Sequence, residues 1–263
     1  MFLKLMYITN SVDVALIAEK YGVDRIWIDL ETLGKQERQG HIDSVKSKHS
    51  INDIKQISPK LTKSEMLVRV NPINPCSKEE IDKVIEAGAD IIMLPMWKSL
   101  DDVKNFLTIV DKRVKTTLLL ETKEAVECLD EVLENGGFDE IHIGLNDLHL
   151  SYHLKFMFEL LANGTVEKIC NKIKNYNIPY GFGGVARLGE GTLPAEKIII
   201  EHYRLGSSRA ILSRSFCNVD KSSSLDDVKE IFKENMKTQR LFEEKVMKMS
   251  KKDFKDNKDE LSN

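Results

Sequence analysis

The chain has 263 residues, 41% of them hydrophobic and 31% charged, with a formal net charge of −3; this is the profile of an ordinary globular protein. Its charge balance gives no footing for a nucleic-acid partner or an anionic membrane surface, and no apolar run approaches the roughly 18–20 residues that span a bilayer. Residues 1–6 lack the apolar core and small-residue cleavage site of a secretory signal. Cys76, Cys128, Cys170 and Cys217 are widely separated, with no paired metal spacing. They read as reduced thiols, and the expected compartment is the cytoplasm.

Short apolar stretches alternate with amphipathic ones along the chain. Strands are expected over residues 3–9, 25–31, 65–70, 91–95, 115–121, 140–145, 179–185 and 209–213. Helices are expected over 12–21, 51–57, 78–87, 100–110, 125–133, 155–176 (interrupted near Asn163-Gly164-Thr165), 195–203 and 226–249. Ser77 with Glu80, and Ser99 with Asp102, have the spacing of capping boxes, and Gly88 and Gly136-Gly137 fall where helices end. Eight such alternations without a break in composition predict one α/β domain, a (β/α)8 TIM barrel over residues 1–249 that includes an extended C-terminal helix. A doubly wound open sheet is the alternative. Residues 250–263 are polar enough to be a disordered tail.

Parallel strands of this kind are buried, and ligands collect at their carboxyl ends. Those ends offer Asn10, then Asp29, Glu31 and Thr32, then Arg69 and Asn71, then Pro95 and Trp97. Glu121, Asp147, Gly183-Gly184 with Arg187, and Ser213-Arg214-Ser215 complete the series. Barrel bottoms carry no such chemical bias, so the concentration points to catalysis. Glu121 and Asp147 close consecutive apolar runs and can share a hard divalent cation, because Mg²⁺ favours one or two carboxylates plus water and substrate oxygens. Mn²⁺ and other divalent ions suit the same donors. A 2-oxo acid held there would have its enolate stabilised, with Arg69 aiding the developing charge and Asp29 and Glu31 beside it. Backbone N–H groups around Gly144, Leu145 and Asn146 are the expected seat of the substrate carboxylate.

The runs Ile28-Asp29-Leu30-Glu31, Val68-Arg69-Val70-Asn71-Pro72, Ala87-Gly88-Ala89-Asp90, Glu121-Thr122-Lys123-Glu124-Ala125 and Ile143-Gly144-Leu145-Asn146-Asp147-Leu148 resemble the HpcH/HpaI aldolase and citrate lyase β-subunit superfamily. The resemblance runs over about residues 22–215. It implies a metal bound by the acids at Glu121 and Asp147, and a 2-oxo acid contacted by Arg69. It also implies an aldehyde or thioester as the second reactant, and a homo-oligomer, trimer or hexamer, in which the long last helix packs on a neighbour. In two places the chain departs from the pyruvate aldolases. Thr32 stands where they have a histidine after the second-strand acids, and Leu119 stands where they have a glutamine.

His41, His149 and His153 are the candidates to replace that histidine as acid/base; metal-bound water is the other. His142 lies within a strand and reads as structural. Gly183, Gly184, Arg187, Ser213 and Arg214 follow the seventh and eighth strands, where many barrels bind phosphate, so an anionic group on the substrate is one reading. A tight turn and a surface ion pair are the other. The expected activity is a class II, metal-dependent aldolase or carbon–carbon lyase acting through the enolate of a 2-oxo acid. An acyl-CoA lyase of the citrate or malyl-CoA type, and a barrel kept only for binding, are the alternatives.

Overall fold

A computed structural model of the chain describes residues 1–34, 49–219, 222 and 224–262. Eight strands pair in chain order: β1 (Lys4–Ile8), β2 (Arg25–Asp29), β3 (Glu65–Arg69), β4 (Ile91–Leu94), β5 (Lys115–Leu120), β6 (Glu140–Ile143), β7 (Tyr180–Val185) and β8 (Arg209–Leu212). Every pairing is parallel, and β8 returns to β1 through Lys4↔Arg209 and Met6↔Ile211. That pairing closes the barrel and rules out the open sheet.

The period of two along each strand divides the apolar residues into two sets. Met6, Trp27, Leu67, Ile91, Met93 and Leu119 form a cluster of their own inside the barrel. Their strand neighbours, such as Leu5, Ile26, Met66, Ile92, Leu118 and Ile141, belong to the larger core shared with the helices. The described helices are α1 (Val12–Lys20), α2 (Ile51–Ile57), α3 (Ser77–Glu86), α4 (Leu100–Val110), α5 (Lys123–Glu127), α6 (Leu129–Asn135), α7 (Leu145–Ser151), α8 (Glu159–Ala162), α9 (Thr165–Lys174), α10 (Ala195–Leu205), α11 (Leu225–Val246) and α12 (Lys251–Leu261).

Local chemistry agrees with the sequence at α4, where Ser99 and Asp102 form the reciprocal capping box. It differs at α3. The cap there is Cys76, the Ser77 hydroxyl accepts from Asn74 N–H at 2.9 Å, and Glu80 accepts from the Asn71 side chain at 2.8 Å. With Cys76 as the cap, Glu80 moves to the fourth helical position, out of capping-box register, and the end of β3 supplies its donor.

The expected disordered tail is instead helix α12. Ser250 and Asp253 form its capping box, and Asn257 is buried, with its amide donating to Lys197 C=O at 3.2 Å and to Glu201 at 3.1 Å. Composition missed it because docking rests on a buried amide, the ion pairs of Lys258 with Glu167 and Glu260 with Lys197, and a single aromatic, Phe254, rather than on an apolar stripe. Helix α11 buries Val228, Phe232, Met236 and Val246 against its own barrel, largely beside α1. Glu243, fully buried on the same face, accepts from Leu3 N–H at 2.8 Å and from the Tyr203 hydroxyl at 2.7 Å, tying the start of β1 to this helix.

The bottom of the barrel also corrects an expectation, because it is heavily charged. Arg25 donates to both Glu140 oxygens at 2.7 Å and to Glu65 at 3.0 Å, and Arg209 reaches Glu140 at 3.1 Å. Charge at strand ends is therefore not by itself a mark of the catalytic face.

Candidate active site

At the opposite end, Arg69 leaves the last residue of β3 and meets Asp29 at the end of β2, its register partner. The two form a fork, Nε to Oδ1 at 2.9 Å and Nη2 to Oδ2 at 2.8 Å, and Nη1 lies 3.3 Å from Glu31. The guanidinium also stands over the Trp27 ring at 5.5 Å. Burial works against its charge, but Asp29 and then Glu31 more than offset this, and its pKa is raised. A planar guanidinium held in this way has one orientation.

Glu121 follows β5 directly and is buried. Its Oε1 accepts from Met96 N–H at 3.1 Å. Desolvation, reinforced by the nearby Asp147 and Glu31 charges and opposed by Arg69, pushes its carboxyl up to about 8. Gly144, just past β6, is the reason it fits: a Cβ there would stand 2.9 Å from Glu121 Oε2 and 3.0 Å from its Cβ.

Asp147 is not on a strand. β6 stops at Ile143, and Asp147 sits in the first turn of α7, mostly buried. Counting by twos along β6 therefore says nothing of how His142 stands to it. Glu121 and Asp147 line one cavity of about 270 Å³ together with Met96, Lys98, Thr122 and Ser151.

Asp29, Glu31, Arg69, Glu121 and Asp147 are thus brought together, four acids against one arginine. The Gly144 N–H is committed to Leu120 C=O at 2.9 Å, which leaves Leu145 and Asn146, at the start of α7, as the backbone donors. His149 is buried and its Nδ1 lies 3.2 Å from Leu145 C=O, while His153 follows α7 in a left-handed backbone conformation. Among the described residues neither is a hydrogen-bond or ion-pair partner of Arg69 or Glu121. His41 lies outside the described residues. Thr32 is exposed, and its N–H and hydroxyl both donate to Asn71 Oδ1.

One nearby residue, and the role of another, are not legible in the sequence. His49 Nδ1 accepts from the Asp29 N–H at 2.9 Å, at the end of a long connection that carries no periodic signal. Asn71 was visible as a strand-end residue, but its part in holding Thr32 and Leu33 was not. Around the eighth strand, Gly183 has φ +50° and packs where a Cβ would strike Leu145. Arg187 is ion-paired with Glu190, and the Ser213 hydroxyl bonds that of Ser215 at 2.8 Å.

A family model described as HpcH/HpaI aldolase/citrate lyase matches residues 4–157, more than half of the chain, including Glu121 and Asp147. The chain belongs to that family. Its chemistry is therefore of the lyase and aldolase kind, and the family generally depends on a divalent metal. Solved structures share the fold at low identity. An HpcH/HpaI aldolase from Desulfitobacterium hafniense DCB-2 superposes with a TM-score of 0.63 at 14% identity, over 81% of this chain and 86% of its own. An HpcH/HpaI aldolase/citrate lyase family protein from Burkholderia cenocepacia J2315 gives 0.61 at 13%, covering 86% and 95%. RipC from Yersinia pestis gives 0.57 at 12%, covering 88% and 94%. No curated protein sequence matches the chain.

The donors fit the family's metal. Among the described residues no three His, Cys, Asp or Glu side chains converge as a protein-only cage would need. Two buried carboxylates in an acid-rich pocket, with coordination left to water and substrate oxygens, is the arrangement Mg²⁺ favours.

Proposed function

We propose that this protein is a divalent-metal-dependent carbon–carbon lyase that works through the enolate of a 2-oxo acid. The observation that carries the proposal is Glu121, buried between Gly144 and Met96 N–H and sharing a cavity with Asp147. Glu121 and Asp147 would hold Mg²⁺ or Mn²⁺, and bound there the ion supplies Lewis-acid polarisation of the keto acid.

The chain's own residues supply the rest. In the cleavage direction the bond between C3 and C4 of a 4-hydroxy-2-oxo acid breaks, and the C4 hydroxyl loses its proton and becomes a carbonyl. The electron pair moves into the C2–C3 unit as an enolate, which takes a proton at C3. Arg69 bonds Asp29 through Nε and Nη2 and faces Glu31 through Nη1, which leaves one hydrogen on each Nη for the enolate oxygen, and because Asp29 and Glu31 already orient it, no reorganisation is needed as the charge grows. The Leu145 and Asn146 N–H groups, at the positive end of α7, receive the substrate carboxylate. With Thr32 bonded to Asn71 in place of a histidine, the proton from the C4 hydroxyl goes to solvent-derived base in the cavity.

The test is exchange of pyruvate methyl protons into D₂O, followed by NMR with Mg²⁺, Mn²⁺ or EDTA, for wild type and Glu121→Ala. Metal-dependent exchange that the variant loses supports the reading. Absence of exchange with metal demonstrably bound overturns the pyruvate-type substrate and favours the acyl-CoA lyase alternative. Absence of both binding and exchange leaves a barrel that only binds.

A further inference from the structure

The charged bottom of the barrel contains an arginine that its neighbours do not satisfy. Arg209 lies two residues before the inward-facing Ile211 on β8, so it shares the inner face, and it is 4% exposed. One of its nitrogens, Nη2, reaches Glu140, while Nε and Nη1 have no hydrogen-bond partner among the described residues. Glu140 is already occupied by the bidentate fork from Arg25, and Glu65 is shared between Arg25 and Lys115. Three cations thus meet two carboxylates.

Two strands away His142 is fully buried, and neither ring nitrogen has a hydrogen-bond partner among the described residues; the Gly183 backbone is the polar group beside it. Burial, and then the Arg209 charge, push His142 down to about 3, so the ring is neutral and carries one N–H donor. Register puts the two residues at one level. His142 pairs with Gly181, and Gly181 pairs with Arg209. The residue between them has no side chain, and a Cβ there would run into the Arg209 carbonyl oxygen and Cγ.

A buried guanidinium with two idle nitrogens is costly. A small anion accepts from several donors at once and offsets the surplus charge, which an uncharged ligand does not do. We propose that the barrel holds a buried monovalent anion of chloride size, between Arg209 and His142, at the end opposite the catalytic pocket. Lys115 and Glu65, both partly exposed, mark the side from which it would enter.

The experiment compares thermal midpoints in sodium chloride, sodium bromide and sodium gluconate at equal ionic strength, for wild type and Arg209→Met. Gluconate is too large for a buried seat. The expected result is a midpoint about 2–4 °C higher in either halide than in gluconate for wild type, and no difference for the variant. If Arg209→Met does not fold, Arg209→Lys keeps the charge without the Nε donor and should lose most of the halide effect. Bromide-soaked crystals should show an anomalous peak within hydrogen-bond distance of Arg209. Equal midpoints in all three salts, or density there with no anomalous signal, would overturn the site and leave water as its occupant. Neither result depends on catalysis.

Discussion

At the scale of single residues the site rests on a glycine as much as on its acids. Gly144 lets Glu121 lie flat against the backbone after β6. Its φ of −81° is open to any residue, so Gly144→Ala is a steric change and not a backbone one. That variant should fold normally yet weaken Mn²⁺ binding by about tenfold or more, as displaced support of a ligand does, which a metal titration would measure. Glu121 also makes metal affinity depend on pH. Its carboxyl is held up at about 8 in the metal-free protein, and a metal must displace that proton. Affinity should therefore fall about tenfold for each pH unit below 8 and level off above it. Calorimetry in buffers of different ionisation enthalpy would show the released proton; binding that is flat between pH 6 and 8 would contradict the shift.

At the scale of elements, chemistry is set by where a strand stops. β6 ends at Ile143, so Gly144 to Asp147 become the entrance of α7, and Asp147 swings beside Glu121 from a helix turn. Elements also acquire roles through partners remote in sequence. Glu167 on α9 accepts from Arg204 of α10 at 2.8 Å and from Lys258 of α12 at 2.7 Å. The Arg204 hydrogen bond foremost, with Lys258 adding to it, holds this carboxyl down at about 2. A depressed acid contributes stability that is complete above its ordinary value near 4.5 and is lost as pH falls towards 2. Amide exchange over residues 251–261 should therefore quicken in that window before the barrel strands do. Glu167→Gln should show the same local loosening at pH 7; a helix that stays protected in the variant would mean that Asn257, Phe254 and the Glu260–Lys197 pair dock it without Glu167.

At the scale of the whole molecule, the interior is unusually polar for a packed barrel, and acid should expose this. His202 is fully buried, stacked on Phe182 at 3.9 Å, with Nδ1 2.7 Å from the Ser207 hydroxyl. Burial, and then His142, push it down to about 3, as burial does His142 itself. Both stay neutral in the fold and take up protons on unfolding below about pH 6.5. Their stabilisation is thus present above 6.5 and is lost as pH drops towards 3. In halide-free buffer the urea midpoint should be lower at pH 5 than at pH 7. His202→Gln should reduce that dependence by about one proton's worth, roughly 1.4 kcal/mol per pH unit.

Much of this is legible in the amino-acid sequence itself. Eight alternations of short apolar runs with amphipathic ones imply the barrel, because only strands buried on both faces read in that way. The acids at 121 and 147 and the arginine at 69 stand out because little else places charge immediately after such runs. Pairing decided the rest. Arg69 became a fixed donor through Asp29 and Glu31, Glu80 turned to Asn71 instead of its own cap, and Arg25, Glu140 and Arg209 met at the barrel bottom. The tail folded because a buried amide found its partners on another helix. Periodicity reports how one segment meets water or core, and so it was read from sequence alone. A charge's partner is a neighbour in space from a distant segment, and that only the closed barrel could determine.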